Sequence, residues 1–452
     1  MSIKKSAEIL FSARHFWLFL SLVFLVSFGY SLVHQIKSSV DARAYNEIAK
    51  NIIDVGEYRL SIGSLLEKDD AIVKVGPGYE FFLAGIYSVF GYKYWVVWAL
   101  QSLMFVFSLV FLAVLIVSLF GGGENFKWRA FYCVFIPAAF FIDVIQLNAM
   151  LLSESLFIFL SVVSLFFFYW SLENKKWWKE IILGVTLGLL YLVRPVALVI
   201  LFAFLTAFIL KKYYRSLILV LAIFSVMQVP WVLRNYNVYG KILLTHTTAG
   251  GVDLLSGNYP GNYGEYRSDF DLYKKIEEKD PTPIGFYENS IKWFLNFTKD
   301  NPFSLLTVWI EKGIIFWSLT KTGGFWFHYF NNFEQLFTVL FSVASYVLIF
   351  GTALIYSLKI IKKKFREGVF FEAVFLALVL LMMVSVVTIV SSRYRLTLFP
   401  FAVILSAGYW FEKEKFDYRY YIITGGWLVF ATIFDLMLQY DKFLYKIGLL
   451  LS

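Results

Sequence analysis

About eleven apolar runs follow one another along this chain, with short basic segments between them. They fall near 16–34, 95–119, 130–147, 151–171, 180–193, 195–210, 216–233, 335–360, 369–390, 396–411 and 420–438. A helix crossing a bilayer needs about 20 mostly apolar residues. With 452 residues, 59% of them hydrophobic and only 16% charged, a water-soluble fold could not hide so much apolar surface. The expected class is therefore an all-α polytopic membrane protein that forms one transmembrane domain over residues 1–452. The basic, then apolar, N-terminus lacks a small-residue cleavage site and reads as an uncleaved first span.

Charge sets the orientation. The net charge of +9 is carried by short segments rather than by a face suited to nucleic acid, so nucleic acid is excluded as a partner. The basic N-terminus, "ENFKWR", "ENKKWWKE", "KKYYR", "KIIKKKFREG" and "FEKEKFDYRYY" all belong to the cytoplasmic side under the positive-inside rule. They fall on one side only if the apolar stretch 302–318 does not cross. That stretch, and the short stretch 77–91, are therefore placed as interfacial or re-entrant helices. Two extramembrane regions follow on the outer side, 35–94 and 234–334. The larger one contains the Gly- and Tyr-rich "GNYPGNYGEYRSDFDLYKK" and is expected to cover a site.

Four arginines oppose the orientation bias. Arg393 and Arg395 in "VSSRYRLTLFP", Arg194 in "LVRPVA" and Arg234 in "VPWVLRNY" all emerge at outer span ends. An unpaired Arg at membrane depth costs roughly 2.5–3.5 kcal/mol. Each alone is compatible with snorkelling to outer headgroups. Four together favour a shared anionic ligand, and guanidinium forks match phosphate oxygens. Two carboxylates stand beside them in the topology. Asp41, just after the first span, is either a helix N-cap or a catalytic base. Glu154, at the outer start of a span in "LLSESLFIFL", is either a first-turn charge or a side chain facing a cavity. Asp143 is a weaker alternative.

One carboxylate among cations suits transfer from a sugar–phosphate lipid. The leaving phosphate is already a stable anion, cations hold its charge, and the carboxylate takes the proton of the attacking group. Transport of a lipid-linked sugar, or a non-catalytic assembly role, are the alternatives. Inverted repeats, common in transporters, are not seen.

The stretches "DARAYNEIAKNIIDVGEY", "KVGPGYEFFLAGIYSVFG", "LLSESLFIFL", "LGLLYLVRPVAL", "QVPWVLRNYNVYGKILLTHTTAGGVDLLSGN" and "SRYRLTLFPFAVILSAG" run in order over residues 41–410. As a set they resemble the GT-C glycosyltransferases related to protein O-mannosyltransferases and to the aminoarabinose transferase of lipid A. The resemblance implies a GT-C fold with an inverting mechanism. The partners it implies are a polyprenyl-phosphate sugar donor, membrane lipid and an envelope acceptor. The membrane it implies is the inner membrane of a prokaryote, with the site facing outward.

It also implies a catalytic Asp41, a second acid at Glu154, and Arg194, Arg234, Arg393 and Arg395 on the carrier phosphate. Lys74 is a further candidate for that phosphate. Tyr45, Tyr79, His246 and Asn258 are candidates for the sugar pocket. In "KVGPGYE" the lysine is one place earlier than in many relatives, and Asp41 is followed by Ala42 where protein mannosyltransferases carry an Asp-Glu pair. No cofactor and no metal are expected, because His15, His34, His246 and His328 show no paired ligand spacing. The lone Cys133 excludes an intramolecular disulfide.

Overall fold

A computed structural model describes residues 3–38, 41–63, 65–73, 76–121, 126–243, 245–264, 266–321, 331–412 and 416–440. Among them there are helices and tight helical turns but no strand. Among the described residues seven helices are long and apolar enough to cross a membrane: Arg14–His34, Tyr94–Phe120, Ser153–Glu173, Tyr214–Tyr239, Asn332–Lys362, Val369–Val387 and Tyr418–Leu438. A bent pair, Trp128–Ala139 and Ile142–Asn148, makes up to eight, and the chain is an all-α polytopic membrane protein. The remaining three expected spans appear as shorter helices, Trp177–Val193, Ala197–Leu210 and Phe399–Phe411.

Local sequence explains the irregular members. The 42° bend follows Pro137, whose ring and missing N–H disrupt the helix around it. The chain then breaks between Asn148 and Ser153, which frees carbonyls in a buried place. Gln101 answers them, donating from Nε2 to the oxygens of Asn148 (2.9 Å) and Met150 (2.8 Å). Its own Oε1 accepts from Tyr79 at 2.7 Å, and Asn148 Nδ2 reaches Ser27 Oγ at 3.1 Å. A break in an apolar bundle is tolerated only where its polar groups are satisfied in this way. The break sets the start of the Ser153–Glu173 helix and hence the place of Glu154.

Elsewhere small residues allow close helix approach. A Cβ on Gly184 or Gly188 would stand 2.8 Å or 2.7 Å from Ile223 or Met227 of the Tyr214–Tyr239 helix. This is the small-xxx-small spacing of membrane helix pairs.

The basic connections gather as the charge pattern requires. Lys127 Nζ donates to the oxygen of Phe411 at 3.1 Å, Lys359 pairs with Glu412, and Lys363 pairs with Glu367 at 2.8 Å. In a second group Lys175 lies over the Tyr213 ring and Ser216 bonds Glu180. Helices of 21 and 19 residues separate these groups from Glu154 and Arg393, roughly 30 Å at 1.5 Å per residue. The helix Pro302–Phe316 lies at the other end with the arginines. Lys312 on it bonds the Thr388 carbonyl at the end of Val369–Val387, and Leu319 just beyond it bonds Thr432.

Candidate active site

Asp41 is the first residue of the helix Asp41–Asp54. That helix buries Tyr45, Ile48 and Ala49 against the helix Pro77–Phe90, and Asn46 accepts from Tyr87 at 2.8 Å. Its N-terminus is thereby fixed against the bundle. The Asp41 carboxylate does not serve mainly as a cap: Oδ2 lies 2.7 Å from Arg393 Nη2. Arg393 sits on the short helix Ser392–Arg395, which follows the end of Val369–Val387.

Arg194 closes the helix Trp177–Val193. The residue before a proline is pushed out of the helical region, and Arg194, before Pro195, is extended at φ −151°, ψ 128°. Its guanidinium turns back to Glu154, Nη1 to Oε1 at 2.7 Å, and lies 4.9 Å from the Tyr394 ring centre. Glu154 Oε1 is also 3.9 Å from Arg393 Nε. The result is a continuous chain, Asp41–Arg393–Glu154–Arg194, built from four elements far apart in sequence. Glu154 is 1% exposed, so it stands behind the guanidinium groups, whereas the Asp41 and Arg393 side chains keep about a quarter of their surface, 27% and 26%.

This chain forms part of the wall of a cavity of about 680 Å³ lined by Asp41, Tyr45, Arg194, Arg393, Tyr394, Asp253 and Lys321 among others. Another part of the lining comes from the helix Ala249–Asn258. Its back presses on the end of Val369–Val387, where a Cβ on Gly257 would stand 1.8 Å from the Thr388 carbonyl oxygen. Lys312, fully buried, fastens the same joint, donating to Gly257 O (3.0 Å), Asn258 Oδ1 (3.4 Å) and Thr388 O (2.7 Å). Burial pulls the Lys312 ammonium down to about 7, with nearby Asp253 acting against the fall. Asp253 on this helix has its carboxyl pushed up to about 7 by desolvation, with Arg194, Arg393 and Lys312 opposing the rise and Asp41 adding to it.

Asp41, Tyr45, Arg194 and Arg393 thus line one cavity, with Glu154 directly behind. Other candidate residues stand elsewhere, each for a visible reason. Arg395 is buried, donates to the Ser318 carbonyl at 2.7 Å and stacks 4.2 Å from the Tyr346 ring centre. Arg234 bonds the Tyr58 carbonyl at 3.2 Å and lies over Tyr58, Trp231 and Tyr239. Tyr79 is committed to Gln101. Asn258 spends its amide on the carbonyls of Leu254 and Val387 and accepts from Trp309.

His246 packs on Tyr191 with ring centres 3.8 Å apart, and burial pulls its imidazole down to about 3, so it is neutral at physiological pH. Asp143 bonds Ser342 within the bundle. Lys74 lies outside the described residues. Among those described, no three His, Cys, Asp or Glu side chains converge as a metal ion would require.

Sequence reasoning passed over Asp253, Tyr394 and Lys321. Tyr394 lay between the two arginines of a stretch already singled out. Asp253 carried a usable signal: apart from His246, it is the one ionisable acid or base between Lys241 and Glu265 that is not a tyrosine.

No family model matches this chain, and no curated protein matches it. Among solved structures it is similar to the crystal structure of ArnT from Cupriavidus metallidurans bound to undecaprenyl phosphate. The identity is 13% and the TM-score 0.41, over 87% of this chain and 78% of that one.

Proposed function

We propose that this protein is an inverting glycosyltransferase of GT-C type. It takes a sugar from a polyprenyl-phosphate carrier and transfers it to an envelope acceptor on the non-cytoplasmic side. The observation that carries this reading is the chain Asp41–Arg393–Glu154–Arg194 along one wall of a cavity large enough for a sugar. The two guanidinium groups are matched by Glu154 behind them and by Asp41 in the cavity, and an anionic ligand that takes the place of Asp41 on Arg393 would keep that balance. Phosphate oxygens match their donor geometry.

The carboxylate in the cavity then has a defined task. A donor phosphate competing for Arg393 draws it from Asp41, and the freed carboxylate takes the proton of the attacking acceptor group. A single displacement at the anomeric carbon inverts its configuration. Glu154 keeps both arginines aimed at the phosphate, a positioning role.

The test is sugar transfer by the purified chain in nanodiscs, using radiolabelled sugars on polyprenyl phosphate. Asp41→Asn should lower turnover by about 10²–10⁴-fold while the carrier phosphate still binds. A helix-capping role predicts near-normal turnover, because Asn caps as well as Asp. Near-normal turnover in this variant would remove Asp41 from the mechanism.

A further inference from the structure

Asp253 lines the same cavity as Asp41, on a different helix, and the two differ in one respect. Asp41 is ion-paired at 2.7 Å. Asp253 has no hydrogen-bond or ion-pair partner among the described residues, although the cavity around it is charged.

Its backbone is fixed on all sides. Thr248 N bonds the Ile72 carbonyl at 2.9 Å ahead of the helix Ala249–Asn258. A Cβ on Gly251 would be 2.9 Å from Tyr287 of the neighbouring helix Pro283–Asp300. Lys312 and the Gly257–Thr388 contact hold the C-terminal end. An unpaired carboxylate held this rigidly against a cavity wall adds nothing to the fold.

We propose that Asp253 is a second catalytic residue of this site, the one that gives a proton to the phosphate as it leaves. The proposal rests on the sugar-transfer reading above. In the step, the bond from the anomeric carbon to the phosphate oxygen breaks with its electron pair on that oxygen, and the phosphate takes the Asp253 proton. The acceptor oxygen bonds the anomeric carbon, and its proton passes to Asp41. A proton then returns from Asp41 to Asp253 through water. The sum is donor plus acceptor alcohol giving glycoside plus polyprenyl phosphate, with no proton gained or lost.

Two carboxyl groups in one site whose surroundings separate their proton affinities are the usual basis of an acid and base pair. The groups facing Asp253 are Arg194, Arg393, Lys312, Asp41 and Tyr394, with Lys321 on the same cavity and Tyr287 behind the helix. With its carboxyl raised to about 7, Asp253 carries a proton through the lower neutral range, and a phosphate placed beside it strengthens that hold.

The experiment needs no knowledge of the sugar. A short-chain polyprenyl phosphate is titrated calorimetrically into the full chain in nanodiscs at pH 7.5, in two buffers of different ionisation enthalpy. Wild type should take up about half a proton more per phosphate bound than Asp253→Asn, and Asp41→Asn should retain an uptake that Asp253→Asn lacks. Equal uptake by wild type and Asp253→Asn overturns the acid role and leaves the transfer reading standing. Failure of wild type to bind the phosphate overturns both.

Thermal melting supplies a second arm. A carboxyl whose folded-state value is raised costs stability as pH climbs from the unfolded value, about 3.9, through the folded one. Asp253→Asn should therefore melt higher than wild type at pH 8 and close to it at pH 4. A lower melting temperature at pH 8 would assign Asp253 to the fold and overturn the proposal.

Discussion

The two ends of this helical bundle both carry buried ionic clusters, and they are finished differently. At the basic end Lys359 reaches Glu412 and Glu367, Lys363 also reaches Glu367, and Tyr356 donates to Glu367 at 3.3 Å. Those contacts join residues 356–367 to 412. At the other end Arg194 and Arg393 share Glu154, Asp41 closes one side only, and Asp253 lines a cavity with them, unpaired. The first arrangement is a clamp. The second leaves Arg393, Asp41 and Asp253 on a cavity wall, within reach of something that enters. The difference separates what holds the fold from what acts on a ligand, although the residue types are the same.

The comparison can be broken from the clamp side. Lys359→Met leaves two carboxylates facing each other without their shared cation. Breaking a buried pair in this way costs about 3–5 kcal/mol. Thermal melting in detergent should fall sharply, while binding of a polyprenyl phosphate by the folded fraction stays within about 2-fold of wild type, a free-energy change below 0.5 kcal/mol. Loss of phosphate binding with unchanged melting would erase the distinction.

A smaller effect sharpens it at the open end. Arg395 is two residues from Arg393, yet its guanidinium is spent on Ser318 and Tyr346. Arg395→Ala should cost about 1.5–3 kcal/mol of stability, the range for a hydrogen bond from a charged group, and leave phosphate affinity nearly unchanged. A large affinity loss without destabilisation would return Arg395 to the binding site.

Much of this was legible in the sequence because membranes impose strong rules. Apolar runs gave the helices, and the basic segments gave their grouping. Charges in costly places pointed to Asp41, Glu154, Arg194 and Arg393, which the fold brings together. What was missed follows from the same logic. Arg234, Arg395 and Asn258 carry the same residue types at the same depth, but carbonyls freed by turns and helix ends consume them, and no spacing rule reports which carbonyl is near. Asp253 belongs to a helix of 10 residues, too short to cross a membrane, where a carboxylate raises no flag. Only the packing of that helix onto the end of Val369–Val387 makes it part of the cavity. The helix Phe399–Phe411 is shorter than the apolar run 396–411, because the tight turn Leu396–Leu398 after Arg395 takes its first residues, and Arg194–Pro195 ends the helix Trp177–Val193 at the site.

The central claim is that the open end receives a phosphate on Arg393. Equilibrium titration of undecaprenyl phosphate into the purified chain in nanodiscs tests it, with folding checked by size exclusion. Arg393→Ala should weaken binding by roughly 1.5–3 kcal/mol, the worth of a charge-assisted hydrogen bond, which is about 10–150-fold. Wild-type affinity in that variant would contradict the account.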